Sequence, residues 1–559
     1  MWPNVGHIDR CGPNLGRQAR QAGSKKRFER GRLPTLLCRS GWLGASSRHT
    51  RGRATCSIEP DAKMRERVTF VHTEDAQIDA EAITVQPTGL LGPLIQAVRQ
   101  DRFTLALDEL PPELSRLLES YTELDIAWAS RSSYVALEPF SSRISPGIHV
   151  SYSASRSNAA DSSELCLLLQ IFGPLDCMDI EAFTRDDVDG SSYFYQELES
   201  IAPFVDSVEK KICKETGGEA DPVCQSRLRT LLTASSLDIS FKSTGQVFKV
   251  SALWPLEDRL LGVPGSSERR TEIGIFTKHV PPGLEPQDIG VSGLLTVLGE
   301  QKEPSPTLFS FPSRHHTSDA FFSSAYLAPT GLHPTLKLNL SSSKPPNQDM
   351  ECRPYAYLTL PKSIFADRFQ FEDKLFLASK NLSASRYTSL PVDLEAPAYT
   401  TKTWGSSVLL ELAPPVNEED ESWSVEVPLH LRYQKPNTLG QWQIEAPFPA
   451  VFWACELLQK TDLSSNPFER PGLGFERLFG ADTVFWHLSP IPDSRGSLTN
   501  AMSVPVLRAD AASWITAGTS AVVGLGFMWV IWKLLVSYMR GGQASSGSMT
   551  QDSKDRKDK

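Results

Sequence analysis

The sequence predicts a mainly β protein: a β-sandwich-like domain, preceded by a mixed α/β region and followed by one C-terminal transmembrane helix. Three observations predict this. Trp423, Val425, Val427, Leu429, Leu431 and Tyr433 place apolar side chains at every second position, with Ser424, Glu426, His430 and Arg432 on the other face. That is the period of a sheet with one wet side. Turn-forming stretches (SSSKPPNQD, APPVNEEDE, QKPNTLGQ) recur between short apolar runs, as they do in sandwiches. Residues 511–532 form 22 positions without a charge, about 33 Å of helix and close to the hydrocarbon thickness of a bilayer.

The elements follow in chain order. Residues 1–63 carry 13 Lys and Arg against 4 Asp and Glu, with no apolar run long enough for a signal peptide. Two readings fit: a mitochondrial transit peptide, or a leader from an over-extended gene model with translation starting at Met64. The composition changes sharply at Met64, where 68–72 reads as a first strand. The sequons and cysteines described below favour the second reading.

Residues 64–299 read as the mixed α/β region. Strands are expected at 124–128, 147–152 and 165–172, with a hairpin of 237–241 and 247–253 around Thr244 and Gly245. Helical stretches are expected at 110–121 and 194–232. Residues 300–319 read as a linker. Residues 320–510 form the sandwich-like domain, with strands at 335–340, 355–360, 408–412 and 451–455 beside the 423–433 run. Pro428 on the wet face of that run predicts an edge position or a bulge, because proline cannot donate to a ladder.

The span itself is 511–532. Trp514 stands near one end, and Trp529, Trp532 and Tyr538 near the other, where half-apolar rings favour the interfaces. Lys533 and Arg540 follow directly, so the positive-inside rule places the tail 533–559 in the cytosol and the body 64–510 on the other side. Ala517, Ala521 and Gly524 make a small-residue stripe that would let a second helix approach, though ordinary anchor composition explains it equally. The final Arg556-Lys557-Asp558-Lys559 resembles a dilysine retrieval signal with Arg for the first Lys, or is a solvated charge run.

The net charge of −9 is unevenly spread: residues 1–63 carry +9 and 533–559 carry +3, which leaves −21 on the body. Nucleic-acid binding, which needs clustered Lys and Arg, is excluded on that ground.

Two sequons, Asn339-Leu-Ser341 and Asn381-Leu-Ser383, lie on the luminal side and are expected to be glycosylated. Six cysteines lie outside the leader: Cys166, Cys177, Cys213, Cys224, Cys352 and Cys455. An even number suits an oxidising compartment. Cys213 with Cys224 closes a Gly/Pro-containing loop, and Cys352 with Cys455 would join the ends of the C-terminal domain. For Cys166 and Cys177, free buried thiols compete with a disulfide.

Little catalytic chemistry is legible. Asp187-Val-Asp189 matches the acidic pair with which many sugar transferases hold a metal and phosphate, but it stands in a polar loop without a nucleotide-binding pattern around it. His315-His316 has no ligand partners at metal spacing. GxSxG, HExxH and phosphate-cradling glycine loops are absent from the sequence. No cofactor is expected.

The segment from Ser318 to Cys455 resembles the PIG-X family, the accessory subunit of GPI mannosyltransferase I, in its longer fungal form. The blocks that carry the resemblance are Gly331-Leu-His-Pro-Thr335, Cys352-Arg-Pro-Tyr-Ala-Tyr357, Leu360-Pro-Lys-Ser-Ile-Phe365 and Asp393-Leu-Glu-Ala-Pro397. Trp404-Gly-Ser406, Val427-Pro-Leu-His-Leu-Arg-Tyr433 and Pro449-Ala-Val-Phe-Trp-Ala-Cys455 complete them. The resemblance implies a non-catalytic, single-pass protein of the endoplasmic reticulum membrane. Its implied partner is a multi-spanning catalytic subunit similar to PIG-M, which adds the first mannose to the GPI precursor; fungal members also resemble broader aids to luminal folding. The docking surface is sought among Trp404, His430 and Arg432, with Trp453 assigned to the core. Two rival readings are a general luminal chaperone with many clients, and a luminal glycan-processing enzyme using Asp187 and Asp189.

Overall fold

The computed structural model describes residues 64–74, 78–155, 162–186, 190–213, 221–266, 269–390, 393–415 and 422–543. The leader with Cys11, Cys38 and Cys56, the Asp187/Asp189 pair and the Arg556–Lys559 tail lie outside the described residues. The protein is mainly β.

Two large sheets form the body. The first has twelve strands. Its order runs Ser305–Pro312, Asp288–Val297, Arg270–Lys278, Arg65–His72, Gly89–Ala106, Val247–Pro264, Ser236–Lys242, Tyr121–Ala129, Gly147–Ala154, Ser192–Gln196, Thr184–Arg185, with Thr84–Gln86 paired to Gly89–Ala106. The Arg65–His72 strand is central, and it pairs parallel with Arg270–Lys278 and antiparallel with Gly89–Ala106. Glu66 on it is fully buried and bonds Arg227, Arg269 and the Thr271 hydroxyl. A carboxylate can be accommodated there only because charged donors surround it.

The second sheet has eight strands: Leu382–Thr388, Gly405–Leu412, Glu351–Pro361, Ala450–Glu456, Thr483–Pro490, His315–Tyr326, Thr335–Leu340, Trp423–Pro428. A two-stranded ribbon, Gln441–Pro447 with Thr499–Pro505, shares its core. Successive side chains of Glu351–Pro361 point to opposite faces. Ala356, Leu358 and Leu360 join the core that includes the ribbon, whereas Tyr355 and Tyr357 join a second cluster with Phe452, Phe475 and Phe485. Both faces are therefore covered, which explains an apolar run without clean alternation.

Several sequence expectations need correction. Residues 165–172, expected as a strand, are helical: Ser162–Leu169 is an α-helix, and Gln170–Phe172 continues it as a 3-10 turn. Leu165, Leu169 and Phe172 are buried, as is Cys166, and the i, i+4, i+7 spacing of the first three is a helical stripe that the apolar richness of the run conceals. The expected helical stretch 194–232 begins inside the Ser192–Gln196 strand, and its helices are Ala202–Ile212 and Pro222–Arg229. The expected linker 300–319 is mostly strand. Ser305–Pro312 is the edge of the first sheet and His315–Tyr326 lies inside the second, so only Ser313 and Arg314 separate them. The 423–433 run is two strands, Trp423–Pro428 and His430–Leu431. Trp423–Pro428 ends the order of the second sheet, and the break follows Pro428.

The C-terminal helix is Ala509–Gln543. Within its segment Ala509–Arg540, an 18-residue stretch has a mean hydropathy of 1.7 and is not buried inside the protein. One such helix fits single-pass membrane insertion.

Candidate functional site

Three features of the fold bear on function: the seam between the sheets, the edge strand with the sequons, and the root of the apolar helix.

The seam is densely bonded. Trp404 donates its indole N–H to the Tyr193 carbonyl at 2.9 Å, and its ring meets Tyr193 and Tyr195 edge-on at 5.6 Å. Lys402 pairs with Glu181, and Lys362 with Asp176. Arg470 pairs with Asp238 at 2.8 Å, and the Leu498 N–H bonds the Arg131 carbonyl at 2.8 Å. These contacts join residues of the first sheet region to residues of the second along its length. The expectation that Trp404 lies on an exposed docking surface is thereby corrected. It is 5% exposed and belongs to the core of the first region. Gly405 beside it has φ +148°, and a Cβ there would sit 2.0 Å from the Leu360 carbonyl oxygen. Only glycine fits this position.

Arg432 is also buried, against expectation. Its Nη1 donates to the Ala396 carbonyl at 2.8 Å, and its guanidinium lies 4.6 Å from the Phe365 ring centre. The cause is the break after Pro428, which folds His430–Leu431 onto Ile364–Phe365. His430 is half-buried, stacked on Phe365 at 5.3 Å and 3.0 Å from His333 between their Nδ1 atoms. Trp453 is core, at 2% exposure.

A polar cavity of about 380 Å³ opens at the seam, with Asp125, Lys242, Arg314, Glu469, Glu476 and Arg477 among its lining residues. His315 bonds Glu476 of that lining. Its Nε2 lies 2.7 Å from Glu476 Oε1, and its Nδ1 lies 2.9 Å from His487 Nε2. Burial holds both imidazoles well below their ordinary pKa, helped by Arg314 for His315 and by His315 for His487. Neutral rings carry one N–H each. His487 Nδ1 is buried without a partner, and a bare lone pair is tolerated there more readily than an unpaired N–H. The consistent chain is therefore His487 Nε2–H to His315 Nδ1, then His315 Nε2–H to Glu476.

Burial raises Asp125, Glu469 and Glu476 to about 7 against the opposing pull of nearby cations. His315, Glu469 and Glu476 offer ligand atoms within 4.8 Å of one another, a set that could hold a divalent ion. Arg314, Lys242 and Arg470 also act on Glu476 as countercharges, so its carboxyl lies within a polar network at the seam. Sequence reasoning missed it because His315 meets Glu476 and His487 across 161 and 172 residues of chain.

The sequons converge. Asn339 is the register partner of Ser424 on the edge strand, and Asn381 Nδ2 donates to the Ser424 carbonyl at 2.8 Å. Both asparagines are exposed. The cysteines form three disulfides: Cys213–Cys224, Cys352–Cys455 and Cys166–Cys177. Cys352 and Cys455 are direct cross-strand partners, with Cα atoms 4.0 Å apart. The competing assignment of Cys166 and Cys177 as free thiols is corrected.

At the helix root, the Asn437 carbonyl accepts from the Ala509 N–H at 2.8 Å, and the Asn437 N–H donates to the Leu507 carbonyl at 3.2 Å. The loop that precedes the ribbon is thus bonded to the first residue of the apolar helix.

Comparison with known proteins places the chain. Residues 329–535 match the family model described as PIG-X / PBN1. A protein of Gibberella zeae named Protein PBN1 is 50% identical over 499 residues, covering 88% of this chain and 100% of its own. The chain belongs to the PIG-X/PBN1 family. A Neurospora crassa protein named pbn1 is 46% identical, covering 88% of this chain and 98% of its own. An Emericella nidulans pbn1 is 37% identical, covering 84% and 95%. Among solved structures, the C-terminal domain of Streptococcus pyogenes AspA covers 78% of this chain and 99% of that domain at 9% identity, with a TM-score of 0.13. The PIG-X/PBN1 match spans the second sheet except its His315–Tyr326 strand, the ribbon and most of the apolar helix, while the relatives, covering 84–88% of the chain, extend the similarity into the first sheet.

Proposed function

We propose that this protein is the non-catalytic subunit of a GPI mannosyltransferase in the endoplasmic reticulum membrane, with its body in the lumen. There it stabilises the separate multi-spanning subunit that adds the first mannose to the GPI precursor. The observation that carries this reading is membership of the PIG-X/PBN1 family over both sheets and the apolar helix. The fold supports it physically. A stabilising subunit needs a rigid surface and a membrane segment on one chain, so that binding through one raises the effective concentration of the other. The bonded seam makes the two sheets one surface, and the loop at Asn437 fastens that surface to the helix.

The test is depletion of the protein, followed by measurement of the abundance of the mannosyltransferase and of mannose transfer in isolated microsomes. The proposal expects both to fall together, and activity to return when the mannosyltransferase level is restored by overexpression. Normal abundance with lost transfer would point to a direct catalytic role and would contradict it.

A further inference from the structure

We propose that the loop preceding the ribbon together with the ribbon's first two residues, 433–442, rests in the interfacial layer of the membrane that the C-terminal helix crosses, with Leu439 and Trp442 as its lipid anchors. This rests on the reading of that helix as a span.

The position of the loop follows from its bonds. Besides the two Asn437 backbone bonds to Leu507 and Ala509, the Val506 N–H donates to the Gly440 carbonyl at 3.0 Å. Asn437 also closes its own turn, with Nδ2 donating to the Gln441 carbonyl at 2.6 Å and Oδ1 accepting from the Gly440 N–H at 2.7 Å. Gly440 has φ +72° and packs on the stem of Arg508; a Cβ there would stand 2.9 Å from Arg508 Cγ. The uncharged stretch begins at residue 511, two residues beyond Ala509, or about 3 Å of helix rise. A loop held this closely to the start of the span cannot stand clear of the bilayer surface.

Its side chains suit that layer. Leu439 is 84% exposed, and Tyr433 and Trp442 are 69% and 40% exposed. The Trp442 indole N–H is satisfied within the loop by the Lys435 carbonyl at 2.7 Å, so the ring can enter an apolar layer without losing a hydrogen bond. Lys435 Nζ lies 5.6 Å from the Tyr399 ring centre, and Arg508 pairs with Asp510 at 2.8 Å. Tryptophan, tyrosine and a basic residue around an apolar tip are the composition favoured where hydrocarbon meets headgroups. Trp514, 82% exposed in the first turns of the helix, continues the same belt.

The opposite end of the second region supplies the control. The Glu351–Pro361 strand is 11 residues long, about 35 Å. Leu458 follows Glu456, the partner of Glu351 at its start. Its other end leads to Ile364–Phe365, which pairs with His430–Leu431, and from there the chain runs into the loop. Leu458 is as exposed as Leu439, at 85%, yet it stands at the far end.

The test replaces Leu439, Leu458 or Phe527, one at a time, with photoreactive benzoylphenylalanine in the full chain, in microsomes whose phospholipids carry an alkyne-tagged acyl chain. All three side chains are exposed, so none of the replacements disturbs the core. The proposal expects tagged-lipid adducts at 439 several-fold above 458 and comparable with 527. Lipid capture at 527 with 439 no higher than 458 would overturn the docking of the loop and leave the span intact. Capture of another protein at 439 in place of lipid would also overturn it, by making the loop a partner contact. Absence of lipid capture at 527 would remove the span, and this inference with it.

Discussion

The indole of Trp404 donates to the carbonyl of Tyr193 across 211 residues of sequence, and through that bond a side chain of the second region sits in the core of the first. Replacing it with Ala removes a buried aromatic and opens a cavity at the seam, at a cost of about 3–5 kcal/mol. Trp404→Phe keeps most of the ring and loses the N–H, costing about 1 kcal/mol. Denaturant unfolding of the detergent-solubilised protein should show this ranking. Equal, small effects for both would mean that the seam does not depend on Trp404.

Gly405→Ala puts a methyl group against the Leu360 carbonyl oxygen at a φ that L-residues rarely adopt. The expected loss is about 3 kcal/mol or more, seen as a lower Tm and reduced steady-state abundance. An unchanged Tm would show that the strand pairing at Leu360 yields without cost.

Glu197 supplies a pH prediction. Burial and then the neighbouring Glu445 carboxylate raise its pKa from 4.5 to about 7, while Arg131 reaches Glu197 at 2.9 Å and Glu445 at 3.6 Å. A raised carboxyl binds its proton more tightly in the folded state. Its contribution to stability is therefore complete below 4.5 and is lost as pH rises through about 7. Glu197→Gln mimics the protonated form and should flatten the fall of stability in that window by up to about one proton per molecule. Identical slopes for the two proteins would show that Glu197 does not carry the linkage.

The two sequons should each carry a glycan. Asn339→Gln and Asn381→Gln should each remove one endoglycosidase-sensitive step of gel mobility, and the double variant both. Both asparagines flank Ser424, four residues and about 13 Å along the edge strand from Pro428. Glycans there would add to the cover that Lys380 and Asn381 already give this sheet edge; an uncovered edge invites pairing with another chain. The double variant should therefore aggregate more readily at unchanged Tm.

What the sequence made legible was whatever local periodicity or turn chemistry dictates. The Trp423–Pro428 alternation, the hairpin joining Ser236–Lys242 to Val247–Pro264, and the apolar helix could all be read directly. The cysteine pair at 213/224 followed from loop economy and that at 352/455 from joining the ends of the C-terminal domain, and the structure forms both. Failures arose where exposed apolar side chains hid the buried stripe, as with Leu167 in Ser162–Leu169. They also arose where proline- and serine-rich composition disguised strands, as in Ser305–Pro312. The site was less legible than the fold. Trp404 and Arg432 were expected on a docking surface, but Trp404 sits in the seam and Arg432 bonds the Ala396 carbonyl inside the second region. The His315–Glu476–His487 chain depends on long-range packing that no spacing in the sequence encodes.

The protein's proposed role is that of a rigid body on one membrane helix that stabilises one dedicated catalytic partner. Its most direct test is affinity purification of the full chain from microsomes in mild detergent, with quantitative mass spectrometry of what remains bound. That role predicts one multi-spanning mannosyltransferase recovered in near-equal amount. A broad set of unrelated luminal and membrane proteins, with that enzyme absent or in trace quantity, would contradict it and would identify the protein as a general folding aid.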